Sequence, residues 1–326
     1  MKLLQTFKAT LVCMAVGLSL SATAQDKHPI RILVGFPPGG STDTVARVLA
    51  DKLAVVLKQP VMVDNKPGAG GRLAVQTLKT SAPDGLTYML APNATPVFQM
   101  LLYPETVLKY NLLTDFTPVG LVVSYPLALA VSNHTGAKTA KEYADWVKNN
   151  PKDATFGSAG AGGHTHFTGL QWGKIIGQEL QVVPYRGNGP LATDLLGGQI
   201  AAGIMTAGDI IQHQRSGKVR VVGQFGAKRS PVLPDVPTLM EQGYKLDAGD
   251  AWTGMWAPAK TPKAEIERMQ SGLKHVLGLP EVREILVNKA TLNPDFRSGE
   301  EMDKLQRKEL QFWGPIIKES GFKPES

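Results

Sequence analysis

Ile30-Arg31-Ile32-Leu33-Val34-Gly35-Phe36-Pro37-Pro38-Gly39-Gly40-Ser41-Thr42-Asp43-Thr44 is the stretch that reveals the fold. Its first five residues form a short, almost continuously apolar run, which reads as a strand buried on both faces. Gly35 to Gly40 breaks any regular structure, and Ser41 to Thr44 opens a helical pattern. Apolar residues then recur at Val45, Val48, Leu49, Leu53, Val56 and Leu57, the spacing of one helix face. A strand, a glycine-rich turn and a helix N-terminus in this order make the opening unit of an α/β protein.

The same logic extends outward. Val61-Met62-Val63 reads as the next strand, Asn65 to Gly71 as a second glycine-rich turn into a helix, and Pro83-Asp84-Gly85 as a turn into Tyr88-Met89-Leu90. A second series starts at Leu127 to Val131. Thr139-Ala140-Lys141-Glu142 predicts a capping box. Thr155-Phe156 runs into Gly157-Ser158-Ala159-Gly160-Ala161-Gly162-Gly163-His164-Thr165-His166, so strand, glycine-rich turn and helix start recur. Further units run through Val182-Val183, Leu195-Leu196 stopped by Gly197-Gly198, Ile200 to Met205 and Val219 to Val222. Beyond Trp252 to Ala257 the pattern is helical, with Thr261 as an expected N-cap before Pro262 and a capping box at Ser298 to Glu301. Two halves with similar opening units predict two α/β lobes of mixed, mostly parallel sheets flanked by helices. Lobe 1 takes residues 25–126 plus 248–326 and lobe 2 residues 127–247, with Trp252 and Trp256 packed near the hinge.

Composition narrows the function. The chain has 326 residues, 43 % hydrophobic and 19 % charged, which is globular rather than disordered. Lys and Arg number 35 against 28 Asp and Glu, a formal net charge of +7. The basic residues are scattered, so nucleic-acid binding has no footprint, and a slight attraction to anionic solutes is all the charge supports. The N-terminus reads as an export leader. Lys2 and Lys8 precede an uncharged apolar run from Ala9 to Leu20, and Ala22-Thr23-Ala24 is a small-residue cleavage signature, placing the cut before Gln25. The run falls short of the roughly 20 apolar residues a membrane span needs. The single cysteine, Cys13, lies inside this segment, so disulfides, redox centres and cysteine-rich zinc sites are excluded from the exported chain. A periplasmic location fits.

The usual catalytic signatures fail in turn. Gly39-Gly40-Ser41-Thr42-Asp43 begins like a nucleophile elbow, but Asp43 occupies the place of the second glycine. Neither glycine-rich turn carries the Gly-Lys-Ser/Thr ending of a phosphate loop. His164 and His166, two apart, point to different sides of a helix and make a poor metal pair. No metal and no cofactor are expected.

What remains is backbone chemistry. A helix N-terminus leaves several N–H groups unpartnered and carries about half a positive charge, so a glycine-rich turn leading into one can hold an anion. The chain offers two such places: Gly39, Gly40, Ser41 and Thr42, and then Ser158, Ala159, Gly160, Gly162, Gly163 and His164. Ser41, Thr42 and Ser158 would add hydroxyl donors. Hydrogen bonds to a charged group contribute about 1.5–3 kcal/mol each, and micromolar affinity corresponds to about 8 kcal/mol. Four to six donors therefore reach it without a buried Lys or Arg. Asp43 would repel a carboxylate beside it, so its side chain is expected to face its own helix terminus or to hold an amide or water. The alternative reading of both turns is that they are tight connections and nothing more.

Together these residues resemble the periplasmic solute receptors of tripartite tricarboxylate transporters, the Bug receptors. The markers are Phe36 to Asp43, Asp64 to Gly71, Pro83-Asp84-Gly85, Asp115 to Val119, Gly157 to Gly160, Val183 to Gly187, Asp194 to Gly198, Lys228 to Pro231 and Leu233 to Thr238, collinear with the family pattern. The resemblance implies a type II-like periplasmic binding protein without catalytic activity. Two lobes would close on a small carboxylate and deliver it to membrane permease subunits. It implies that Phe36, Gly39, Gly40, Ser41, Thr42 and Asp43 form one ligand-binding turn and that Ser158, Ala159, Gly160, Gly162, Gly163 and His164 form the other. Asn93, Ala94 and Thr95 fall where the family presents a third pocket loop. Departures occur at Ala159 to Thr165, where Asn or Ser is common among the glycines. They occur also at Thr206-Ala207-Gly208-Asp209, where an Asp usually follows the strand directly; Asp209 is the candidate to replace it. Two other readings compete. One is an extracytoplasmic sensor subunit for a membrane kinase; the other is a secreted hydrolase using Ser41 or Ser158 with His164 or His166.

Overall fold

The computed structural model describes residues 28–324; the expected leader, residues 1–24, lies outside them. β1 (Ile30–Val34) leads through the first glycine-rich turn into α1 (Ser41–Leu57), followed by β2 (Val61–Asn65), α2 (Arg72–Lys79) and β3 (Thr87–Pro92). α1 forms where the apolar period predicts. Val45, Leu49, Leu53 and Leu57 are buried against the sheet, each contributing about 1.5–3 kcal/mol. β1 lies between β2 and β3 and runs parallel to both. The first crossover runs from β1 to β2 and the second from β2 back past β1 to β3; α1 covers one face with Ile32 and Val34, and α2 covers the other with Leu33.

β4 (Phe116–Tyr125) ends this half, and Pro126 alone separates it from β5 (Leu127–Ser132) of a second sheet. α3 (Ala140–Asn149) follows. Then β6 (Thr155–Ser158), α4 (His164–Ile175), β7 (Gln181–Pro184), α5 (Asn188–Leu196) and β8 (Ala202–Thr206) repeat the first unit. β6 lies between β7 and β8, parallel to both, as β1 lies between β2 and β3. α6 (Ala207–Arg215) and β9 (Val219–Gln224) complete the second half. The chain then returns to the first sheet through β10 (Ala251–Pro258), α7 (Lys263–Gly278), β11 (Asn293–Ser298) and α8 (Gly299–Glu319). Strand orders are β11-β4-β10-β3-β1-β2 and β7-β6-β8-β5-β9.

Four expectations need correction. Parallel pairing does not predominate, because β10 joins β3 and β4, β11 joins β4, and β5 joins β8 and β9, all antiparallel. The C-terminal block is not purely helical. β11 adds an edge strand whose residues, Asn-Pro-Asp-Phe-Arg-Ser, are all half-buried and show no apolar alternation. At Thr139 only half of the capping box forms: its hydroxyl accepts from the Glu142 N–H at 3.1 Å, but Glu142 reaches back to the Lys138 N–H at 2.7 Å. Thr261 caps nothing, since its hydroxyl donates to the Pro258 carbonyl and the helix starts at Lys263. The box at Ser298 and Glu301 forms in both directions.

Candidate functional site

In open α/β sheets a ligand sits outside the carboxyl ends of the strands, where successive crossovers diverge. Each lobe has one such switch point. In the first it lies between β1 and β3, and the loops leaving those strands are Gly35 to Gly40 and Asn93 to Thr95. In the second it lies between β6 and β8, with Ala159 to Gly163 and Thr206 to Asp209. The ligand-binding candidates from the sequence belong to these four loops or the helix starts that follow them, except Ser158, which ends β6. The crossing strands orient the two ends. Thr253 near the start of β10 pairs with Pro92 at the end of β3, and Leu127 at the start of β5 pairs with Thr206 at the end of β8. Both switch points therefore lie on the sides where the chain passes between the lobes, and they face the lobe boundary.

In the first turn Gly39, Gly40 and Ser41 are exposed. The N–H groups of Ser41, Thr42 and Asp43 donate no hydrogen bond within the described residues. Asp43 does not point at the open amides. Its buried carboxylate accepts from the Gly39 N–H at 2.9 Å, from Arg47 Nε at 2.8 Å and from Asn65 Nδ2 at 2.8 Å. The Arg47 hydrogen bond does most to hold the carboxyl down at about 2, helped by the bonds from Gly39 and Asn65, against the opposing effect of burial. Asn65 also donates to the Phe36 carbonyl, tying the two glycine-rich turns of this lobe together. Gly35 and Gly71 touch back to back: a Cβ on Gly35 would fall 2.6 Å from the Gly71 Cα.

The second turn is built without charge. Ser158 is fully buried, and its hydroxyl donates to the Gly160 carbonyl at 2.8 Å and shares a bond with Thr165 Oγ1. The Gly162 N–H donates to His166 Nδ1 at 3.0 Å. The N–H groups of His164 and Thr165 are left without a partner among the described residues. The His164 ring turns away from the turn to bond the Ala248 carbonyl through Nε2 at 2.8 Å, packed against Phe98 and Trp313 of the first lobe. Burial pushes its imidazole down to about 4, partly opposed by the bond to Ala248.

Several side-chain roles expected from the sequence are thus corrected. Ser158 offers no free hydroxyl, and the side chain of His164 lies in the lobe boundary rather than on the turn. Among the described residues neither Ser158 nor Ser41 is hydrogen-bonded to a histidine: Ser158 bonds Gly160 and Thr165, His166 bonds Gly162 and His164 bonds Ala248. Asn93 is fully buried. Its amide donates to both Glu309 oxygens at 3.2–3.3 Å, and its own N–H goes to the Trp252 carbonyl. Burial pushes Glu309 up to about 7, against the hydrogen bonds from Trp252 and Asn93. Thr95 Oγ1 is committed to the Gly70 carbonyl at 3.2 Å. In this loop Ala94 alone is more than marginally accessible. Asp209 is exposed and accepts from Asn188 Nδ2 at 2.6 Å and from Thr206 Oγ1. Trp252 and Trp256 are buried and donate to Glu309 and Gln306, docking α8 on the sheet.

Two α/β lobes joined by crossing strands, each presenting unpartnered helix-start amides at its switch point, define a solute-binding protein of the periplasmic type. The profile of the tripartite tricarboxylate transporter family receptor matches residues 45–322, and the chain belongs to that family. It is 31 % identical over 99 % of its length to Protein BugT of Bordetella pertussis, covering 98 % of that protein. Among solved structures it resembles the periplasmic binding protein BugD, with 31 % identity, a TM-score of 0.73, and coverage of 91 % of this chain and 99 % of that one. It also resembles MatC from Rhodopseudomonas palustris with bound malate, with 29 % identity, a TM-score of 0.72, and coverage of 89 % and 98 %.

Proposed function

We propose that this chain is a periplasmic receptor that takes a small carboxylate between its lobes and hands it to the permease subunits of a tripartite tricarboxylate transporter, without chemical conversion. The moving bodies are residues 25–126 with 248–326, and residues 127–247. One observation carries the reading: the family's fold presents two sets of unpartnered N–H groups, Ser41 to Asp43 and His164 to Thr165, at its two switch points. Around them Phe36, Gly39, Gly40 and Ala94 line the first side, and Ala159, Gly160, Gly162, Gly163 and Asp209 the second. Neutral donors suit a receptor that must release its cargo. The malate held by the related MatC makes a dicarboxylate the first solute to try.

Ser41→Pro tests this directly. Proline at the first helical position deletes one N–H and is tolerated by the helix, and Gly40 at φ −75°, ψ 168° is already in the conformation required before proline. Thermal shift and calorimetry with malate and a panel of mono-, di- and tricarboxylates should show binding by the wild type. A solute at a hundred times its Kd stabilises by about 2.7 kcal/mol. Ser41→Pro should lose about 1.5–3 kcal/mol of binding while keeping its solute-free Tm. Stabilisation by neutral sugars alone, or full affinity in Ser41→Pro, would refute the proposal.

A further inference from the structure

We infer that Phe322 is a positioning residue for the second amide turn, and that the segment following α8 is a strap from the first lobe holding that turn in its solute-binding shape. This rests on the receptor reading for the meaning of the turn, though not for its geometry. α8 lies on the first sheet and ends at Glu319; Gly321, at φ 65°, then turns the chain so that Phe322 reaches the second lobe. There the ring stands edge-on to His166 at 5.0 Å and to Phe167 at 5.7 Å. It also covers Gly162. A Cβ built on that glycine would come within 2.7 Å of the Phe322 ring and 3.3 Å of Leu102, another first-lobe side chain.

These contacts converge on one hydrogen bond. Gly162 is at φ 70°, where other residues are strained, and its N–H is the donor to His166 Nδ1. Phe322 presses on both partners. A turn with glycine at 157, 160, 162 and 163 samples many backbone states on its own, and the strap removes that freedom without touching a solute donor. Lys174 of α4 and Glu319 pair at 3.0 Å where the strap leaves the helix, but both are exposed, so the ring and not the ion pair is the holding element.

The experiment compares the wild-type protein with Phe322→Ala, Phe322→Leu and Phe322→Tyr. Phe322 is half-exposed and packs against the rim of the core rather than within it, so these variants should fold. By amide hydrogen exchange without solute, Phe322→Ala should speed exchange at Gly162, the hydrogen-bonded amide of the second turn, about tenfold and leave Gly39 of the first turn unchanged. Phe322→Tyr should restore protection and Phe322→Leu should fall between. Malate affinity should drop about tenfold in Phe322→Ala and return in Phe322→Tyr. Unchanged exchange at the second turn, or equal acceleration at both turns, overturns the inference. A wild type that binds no carboxylate breaks the receptor reading, and the exchange comparison still decides the strap.

Discussion

The two amide turns share a plan and differ in what holds them. The first is pinned by ions: Asp43 gathers Gly39, Arg47 and Asn65 around one buried carboxylate. The second is pinned by neutral groups and by packing. Ser158, Thr165 and His166 tie it internally, and Phe98, Trp313 and Phe322 press on it from the other lobe. Two lobes with the same strand arrangement around the switch point have thus reached similar arrays of open N–H groups by electrostatics in one case and by burial in the other. Acid, salt and core mutations should therefore separate them.

Acid gives the largest contrast. His164 titrates at about 4 in the fold against an ordinary 6.5, so the unfolded chain binds more protons in between, and stability falls as the pH drops through that window. The full shift corresponds to roughly 3 kcal/mol. Asp43 is held at about 2 against an ordinary 3.8, so its contribution is complete above the ordinary value and is lost only as the pH falls toward 2. Exchange or NMR across the range should show the second turn loosening first and the first turn only below pH 4. His164→Gln should shrink the earlier step, and what remains should belong to His166, whose imidazole burial also pushes down and whose Nδ1 accepts from Gly162. Simultaneous loosening of both turns would break the comparison.

Smaller effects should follow from the first turn's ions. Asp43→Ala should cost about 1 kcal/mol in denaturant unfolding, the scale of a lost helix-start acceptor, and should speed exchange at Gly39 without touching Gly162. Arg47→Ala should change stability least, because its guanidinium is largely in solvent. That small loss should appear as an upward move of the Asp43 titration, which Gly39 and Asn65 still hold below the usual carboxylate range, seen by carboxyl NMR. An unmoved titration would mean that Gly39 and Asn65 alone hold the charge.

Legibility from the sequence follows the same division. The repeated strand, glycine turn and helix start were readable because apolar period and glycine placement are local signals, and they led to both sets of open amides. The clamps were not readable. Asn65, Ala248 and Phe322 lie 22, 84 and 156 residues from their partners Asp43, His164 and His166, and nothing in a local pattern marks a carbonyl or a ring for a distant turn. The expectation that Asp43 would turn toward its own helix start needed no partner, since charge repulsion alone dictates it. Ser158 misled because a hydroxyl beside glycines reads as a donor to solute, whereas a neighbouring Thr165 and the Gly160 carbonyl use it up. β11 was missed because an edge strand of polar residues has no alternation to detect.

The first sheet draws strands from both ends of the chain, β1 to β4 before the second lobe and β10 and β11 after it. A ribosome or a translocation channel delivers residues in order, so the interior lobe can complete its own sheet while the other still waits for its central strand β10. Vectorial emergence therefore leaves β3 and β4 without the strand that joins them until Ala251 to Pro258 appear. For that interval the growing chain carries two unzipped, strongly apolar edges, the period in which a holding chaperone has most to protect.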